Sequence, residues 1–192
     1  LFFTPVTNPA ELSDHKIDSS IIGVIPFINK ENRDNDNTTL QNSLESFILN
    51  LQHLKSNDSS KKIIALTSGT AGNGKTLTSF LTAKELAKLG NKVLLMDCDF
   101  KRGDIHKLIN KTKITLKDFN DISDDNIENY REGNTNLYVI PKITKLIDSF
   151  QFINNESVKE KFKYFSNNFD YILLDTAPIL SVSDTSLILR MS

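Results

Sequence analysis

A chain of 192 residues with 39% hydrophobic content is the size of one ordinary domain and can bury a core. A net charge of −1, with Lys and Arg spread along the chain, gives no electrostatic reason to expect nucleic acid as a partner. The one cysteine, Cys98, cannot form an intrachain disulfide, and three scattered histidines with a single thiol make no metal cluster. The longest uncharged apolar run, Ile21 to Ile28, falls far short of the ~20 residues of a spanning helix, and the first sixteen positions, with their early acidic and polar residues, do not have the pattern of a secretory signal. Because the chain opens on Leu1 rather than Met, we expect it to be a piece of a longer protein.

In chain order, residues 1–20 are rich in Pro, Asn, Ser and Asp and read as a linker or arm, with the domain proper over 21–192. Ile21 to Ile28 reads as a short buried strand, and the polar, aperiodic Asn29 to Thr39 as a loop. A helix is expected next, capped by Thr38 or Thr39, with Leu40, Leu44, Phe47, Leu51 and Leu54 on one face. Lys61 to Ser68 reads as a buried strand, then comes a glycine-rich loop and a helix from Thr76 to Leu89, stopped at Gly90. Asn91 to Asp99 is apolar on both faces, as a strand of a parallel sheet must be. Short helices are expected within Asp104 to Arg131 and a strand over Asn136 to Pro141. A helix over Glu156 to Asn167 should present Val158, Phe162 and Phe165 to the sheet; Phe169 to Asp175 is another buried strand, and "SDTSLILR" begins a helix. Strand and helix alternate from Lys61 onward, which predicts an α/β fold: a mostly parallel sheet with helices on both faces, of the P-loop NTPase type, lacking one or two C-terminal strands.

The chemistry concentrates at "SGTAGNGKTLTSF", where Gly69-x-x-x-x-Gly74-Lys75-Thr76 lies between a strand and a helix. Glycines there let the backbone N–H groups of the loop turn inward around phosphate oxygens, and the helix N-terminus adds positive potential. The expected cradle is Gly69, Thr70, Ala71, Gly72, Asn73, Gly74, Lys75, Thr76 and Leu77, with Lys75 between the β- and γ-phosphates and the Thr76 hydroxyl on Mg²⁺. Hydrolases, switches, kinases and motors all use such a loop, so it does not choose among them. Asp175 ends an apolar strand, the position at which ligands gather in open α/β sheets, and a carboxylate there would hold Mg²⁺ directly or through water. Asp97 and Asp99 end the strand after the loop helix, and alternation points both to one side with Cys98 facing away. Two carboxylates so close need a cation or a proton between them: one beside the metal, the other as a base for a substrate hydroxyl. The plainer alternatives are a turn that binds nothing and aspartates that cap the following helices.

Together these features resemble the bacterial tyrosine kinases whose catalytic domain is attached to exopolysaccharide chain-length regulators. The loop Gly69 to Thr76 is similar to that family's Walker A, Leu94 to Asp99 to its Walker A′ strand, and Ile172 to Asp175 to its Walker B strand. "IIGVIP", "DFKRGDIH" and "FDYILLDTAPILSVSD" resemble further family stretches, retaining Arg102, His106 and Asp184. The septum-placement and partition ATPases carry an extra lysine early in the loop, where this chain has Thr70. Departures from the kinase pattern are Ala71 for proline, Lys101 for arginine, Gly103 for proline and Leu81 for asparagine. The family's Glu-x-x-Arg-x-x-Arg assembly helix falls on Asn42, Glu45 and Ile48, and the four tyrosines, Tyr130, Tyr138, Tyr164 and Tyr171, form no C-terminal cluster.

The resemblance implies an ATP- and Mg²⁺-dependent protein-tyrosine kinase domain, with Lys75, Asp97 and Asp99 catalytic and Thr76, Asp97 and Asp175 at the metal. Its partners would be ATP and ADP, an acceptor tyrosine on itself or a tyrosine-rich tail, a homo-oligomer with altered contacts, and membrane-anchored polysaccharide machinery. Its place would be the cytoplasmic side of a longer bacterial inner-membrane protein. The other open readings are an ATP-binding regulator of chain length with little kinase activity and a P-loop ATPase switch.

Overall fold

A computed structural model describes residues 33–56, 63–68, 71–144 and 149–178. The expected strand at Ile21 to Ile28, the boundary at residue 20, loop residues Gly69 and Thr70, and the C-terminal helix lie outside them. The chain groups into two units, Leu1–Asn57 and Asp58–Ser192.

The described part of the first unit is helix α1, Arg33–Ser56, in which Leu44, Ile48 and Leu51 are buried. The helix starts well before the expected cap at Thr38 or Thr39, so the second half of the expected loop is helical. A helix once nucleated propagates through polar residues without needing an apolar stripe. Leu40 and Phe47 are half-buried, and Ile48, outside the expected stripe, is almost fully buried.

In the second unit the strands are β1 (Ile63–Leu66), β2 (Val93–Cys98), β3 (Ile114–Thr115), β4 (Leu137–Ile140), β5 (Ile143–Thr144) and β6 (Tyr171–Thr176). The helices are α2 (Lys75–Lys88), α3 (Ile105–Leu108), α4 (Leu116–Asn120), α5 (Ser149–Asn154) and α6 (Glu156–Asn168), with a 3₁₀ turn at Ile127–Tyr130. β1, β6, β2 and β4 pair in that order, all parallel, and β3 pairs with β5 in a separate parallel ribbon. The expected α/β architecture is present. β1 differs from the buried strand expected of Lys61 to Ser68: it is half-buried, because among the described residues it is the outer strand and pairs with β6 alone.

Alternation along the central strands divides the sheet between two helical layers. Leu94, Met96, Cys98, Tyr138, Ile140, Ile172 and Leu174 join Phe119, Phe152, Val158, Phe162 and Phe165 in one apolar cluster on the α6 side. Val158, Phe162 and Phe165 lie on α6 at helical spacing, as predicted, and Phe119 links Phe152 and Phe165 at ring distances of 5.4 and 5.9 Å. On the other face α2 buries Ser79, Thr82, Ala83, Leu86 and Ala87 and packs against β2 and β6. α2 stops because Gly90 takes φ 92°: its N–H then reaches the Ala87 carbonyl at 3.1 Å and that of Asn91 the Leu86 carbonyl at 3.3 Å.

This topology brings the carboxyl ends of β2 and β6 together with the amino end of α2. Asp97 and Asp175 are register neighbours there, on the face turned toward α2, while Cys98 faces the opposite core.

Candidate functional site

The loop ahead of α2 is shaped by Gly72 and Gly74, at φ 85° and 73°, values that an L side chain adopts only with strain. Gly74 caps α2 without a side-chain hydrogen bond, and the first helical turn holds no acidic residue. The opening amides and Lys75 therefore face the site without a competing carboxylate from their own helix, an arrangement suited to an anion. The loop borders a cavity of about 540 Å³ lined by Ala71, Gly72, Lys75, Thr76 and, across from them, Asp99, Lys101 and Arg102. A second hollow of about 430 Å³ adjoins it at Lys75 and Thr76 and is bounded by Gly74, Leu77, Lys107 and Leu108.

Asp175 is fully buried at the floor of this region. Its Oδ1 accepts from the Ser79 hydroxyl at 3.1 Å, and the Thr76 hydroxyl lies beside the carboxylate and favours its charged form. Its Oδ2, although buried, has no hydrogen-bond partner among the described residues. Burial pushes the acid up from its ordinary range, while the Thr76 and Ser79 hydroxyls and the Lys75 charge pull it down. An unpaired buried carboxylate oxygen beside a threonine hydroxyl fits a hard divalent cation that takes oxygen ligands, and Mg²⁺ uses only one or two carboxylates besides water and phosphate. Of the three residues expected at the metal, Thr76, Asp97 and Asp175, the structure sets Thr76 beside Asp175, with Asp97 its register neighbour on β2.

Asp97 and Asp99 divide. Asp97 is fully buried; its Oδ1 accepts from the Asp99 N–H at 3.2 Å and its Oδ2 from the Ile105 N–H at 3.1 Å. Burial first, then the charge of Asp175, raise it to about 7, against the pull of those two amides. Asp99 stands just past the end of β2, half-exposed on the cavity wall, with its Oδ1 accepting from the N–H groups of Lys101 (3.2 Å) and Arg102 (2.8 Å). Its free edge is the carboxylate that a ligand in the cavity would meet. Asn73 and Gly74 are exposed on the loop, and Leu77 is 42% exposed at the second hollow.

Four contributors escaped the sequence reading as site residues. Lys101, Arg102 and Asp104 line the cavity from the loop after β2. Their signal was a charged run directly after an Asp-x-Asp at a strand end. Ser79 also escaped, although it sits one helical turn beyond Lys75, at the spacing that shares its face.

A family model described as an AAA domain matches residues 61–191. The chain is 31% identical over 144 residues to the putative tyrosine-protein kinase AmsA of Erwinia amylovora, covering 73% of this chain and 20% of that protein. It is 36% identical over 137 residues to the tyrosine-protein kinase CpsD of Streptococcus pneumoniae, covering 66% of this chain and 57% of that one. The solved kinase domain of the Escherichia coli tyrosine kinase ETK superposes with a TM-score of 0.79 at 22% identity, over 97% of this chain and 80% of that one, a likeness of fold. The chain spans a fifth of the first curated relative and little over half of the second.

Proposed function

Since the chain belongs to the AAA-domain family and has the nucleotide-binding fold of the bacterial tyrosine-kinase domains, we propose that it binds ATP with Mg²⁺ and phosphorylates tyrosine. The observation that carries this reading is the pairing of Thr76 with Asp175, whose second oxygen is buried and unpaired, at the foot of a cavity walled by Lys75 and Asp99. In this reading the amides of the loop Gly69 to Leu77 hold the phosphates and Lys75 spans the β- and γ-groups. Thr76 and Asp175 would hold the metal, with the Asp97 carboxyl beside Asp175 on the neighbouring strand. Bound Mg²⁺ would supply neutralisation of the phosphate charge. Asp99 accepts the phenolic proton as the tyrosine oxygen bonds to the γ-phosphorus and the bridging oxygen leaves with ADP; Lys101 and Arg102 face the charge of the transferring group.

The finer placement belongs to the same proposal: a domain on the cytoplasmic side of membrane-anchored exopolysaccharide machinery, acting on tyrosines of its own assembly. Among the described residues no helix is long and apolar enough to cross a membrane.

The test is phosphotyrosine formation by the full-length protein with ATP and Mg²⁺, beside Asp99→Asn and Lys75→Ala. Asp99→Asn should lower kcat by about 10²–10⁴ with nucleotide affinity held within a few-fold. Lys75→Ala should weaken nucleotide binding about 100-fold. Intact nucleotide binding without phosphotyrosine would remove the kinase reading in favour of an ATP-binding regulator of chain length.

A further inference from the structure

We propose that the second hollow, bordered by the exposed side chains of Leu77 and Leu108, is the slot that takes the aromatic ring of the acceptor tyrosine. The inference rests on the reading of the adjoining cavity as the phosphotransfer site, and it names where the acceptor stands. Among the described residues the large hydrophobic side chains left exposed are Leu49, Leu77, Leu89 and Leu108, and two of them border this one hollow. They reach it from different elements, Leu77 from the first turn of α2 and Leu108 from the end of α3. Neither is needed by the core. The buried stripe of α2 runs through Ser79, Thr82, Ala83 and Leu86, and Leu77, two residues before Ser79, lies off it. Ile105 and Ile109, four apart and both buried, anchor α3 and leave Leu108 at 46% exposure.

Two leucines open to water on one hollow favour an apolar group that covers both. At about 430 Å³ the hollow has room for a phenol ring. Lys107, which also lines it, pairs with Asp104 at 2.8 Å, so the rim is polar but balanced in charge and suits an uncharged ring better than a further phosphate. The hollow joins the phosphate cavity along Gly72, Lys75, Thr76 and Asp104, which line both. A side chain entering past the leucines therefore presents its far end to Lys75 and, beyond it, to the wall that carries Asp99. Length then selects the residue. Tyrosine carries its hydroxyl across the depth of a ring, whereas serine and threonine carry theirs one carbon from the backbone and would leave the leucines uncovered.

The test uses the full-length protein with ATP, Mg²⁺ and a random copolymer of glutamate and tyrosine as acceptor. Leu108→Ala should raise the KM for the copolymer about tenfold and leave the KM for ATP within about twofold. Leu108→Met, which restores the apolar volume, should bring the copolymer KM back to within about threefold of wild type. Because Leu108 is exposed, both variants should keep the fold, which circular dichroism checks. Binding is read separately with a copolymer of glutamate and phenylalanine, which offers the ring and accepts no phosphate. Its affinity should fall about tenfold in Leu108→Asn, a change that adds no charge, while the affinity for polyglutamate stays the same. An unchanged copolymer KM in Leu108→Ala, a rise confined to the KM for ATP, or no difference between wild type and Leu108→Asn in binding the phenylalanine copolymer would each overturn the proposal. Absence of phosphotyrosine already in the wild type would count against the kinase reading, and the phenylalanine copolymer would still decide whether the hollow takes an aromatic ring.

Discussion

Leu95 and Leu173 are register partners in the middle of β2 and β6, and Asp97 and Asp175 are register partners two residues further on. All four are fully buried and face α2, yet they do opposite things to the fold. Removing the leucines from water stabilises it by about 1.5–3 kcal/mol per side chain. Removing the carboxylates costs free energy, which two amides at Asp97 and two hydroxyls at Asp175 offset in part. One pair of strands thus carries stability in its middle and a destabilising, cation-seeking site at its end. The transition takes two residues because parallel register sets identical strand positions side by side.

The comparison breaks most visibly if the apolar middle is cut. Leu173→Ala should lower unfolding free energy by about 2–5 kcal/mol in urea denaturation, and by the same amount at pH 5 and pH 8, since no titrating group is lost. A loss under about 1 kcal/mol would show that the middle of the sheet does not hold the fold. The acidic end should respond to pH instead. Folded Asp97 keeps its proton up to about 7, whereas the unfolded chain releases it near 3.8. The unfolded state therefore gains as pH rises through that window, and stability falls between pH 4 and 7 before levelling off. In cation-free buffer the contribution is on the order of 4 kcal/mol. Asp97→Asn should flatten that slope relative to wild type; parallel pH profiles for the two proteins would remove Asp97 as its source.

The middle of the sheet was also the part most legible in the sequence. "VLLM" and "ILL" are continuous apolar runs, Gly90 is a helix stop, and Val158, Phe162 and Phe165 recur at helical spacing, so local chemistry names those elements. The pairing of Thr76 with Asp175 was legible because a motif and a strand end both point to the same edge of an α/β sheet. What stayed hidden depends on contacts between distant segments. The start of α1 at Arg33 lies in a stretch with no apolar period, and β3 and β5, two residues each, have no pattern to show. Asp97 and Asp99 are alike by alternation, and only the fold of the chain after β2 separates the buried carboxylate of Asp97 from the half-exposed one of Asp99.

The smallest of the three effects tests the acidic end from the helix side. The Ser79 hydroxyl lies 2.9 Å from the Lys75 carbonyl and 3.1 Å from Asp175 Oδ1, inside a wholly buried contact between α2 and β6. Ser79→Ala removes little volume, so its cost is mostly electrostatic: Asp175, whose other oxygen already has no partner among the described residues, would keep only Thr76. Losing a donor to the charged form raises the folded acid further, and the penalty therefore grows as the pH favours ionisation. We expect a loss of about 1–2 kcal/mol in alkaline buffer, shrinking in mildly acidic buffer, measured by thermal or urea unfolding without divalent cation. Saturating Mg²⁺ should recover part of it, because a cation at Asp175 stabilises the same charge that the hydroxyl did. An equal cost at both pH values, indifferent to Mg²⁺, would mean that Ser79 acts as a spacer between helix and strand, and the distinction between the two ends of β6 would lose its support on that side.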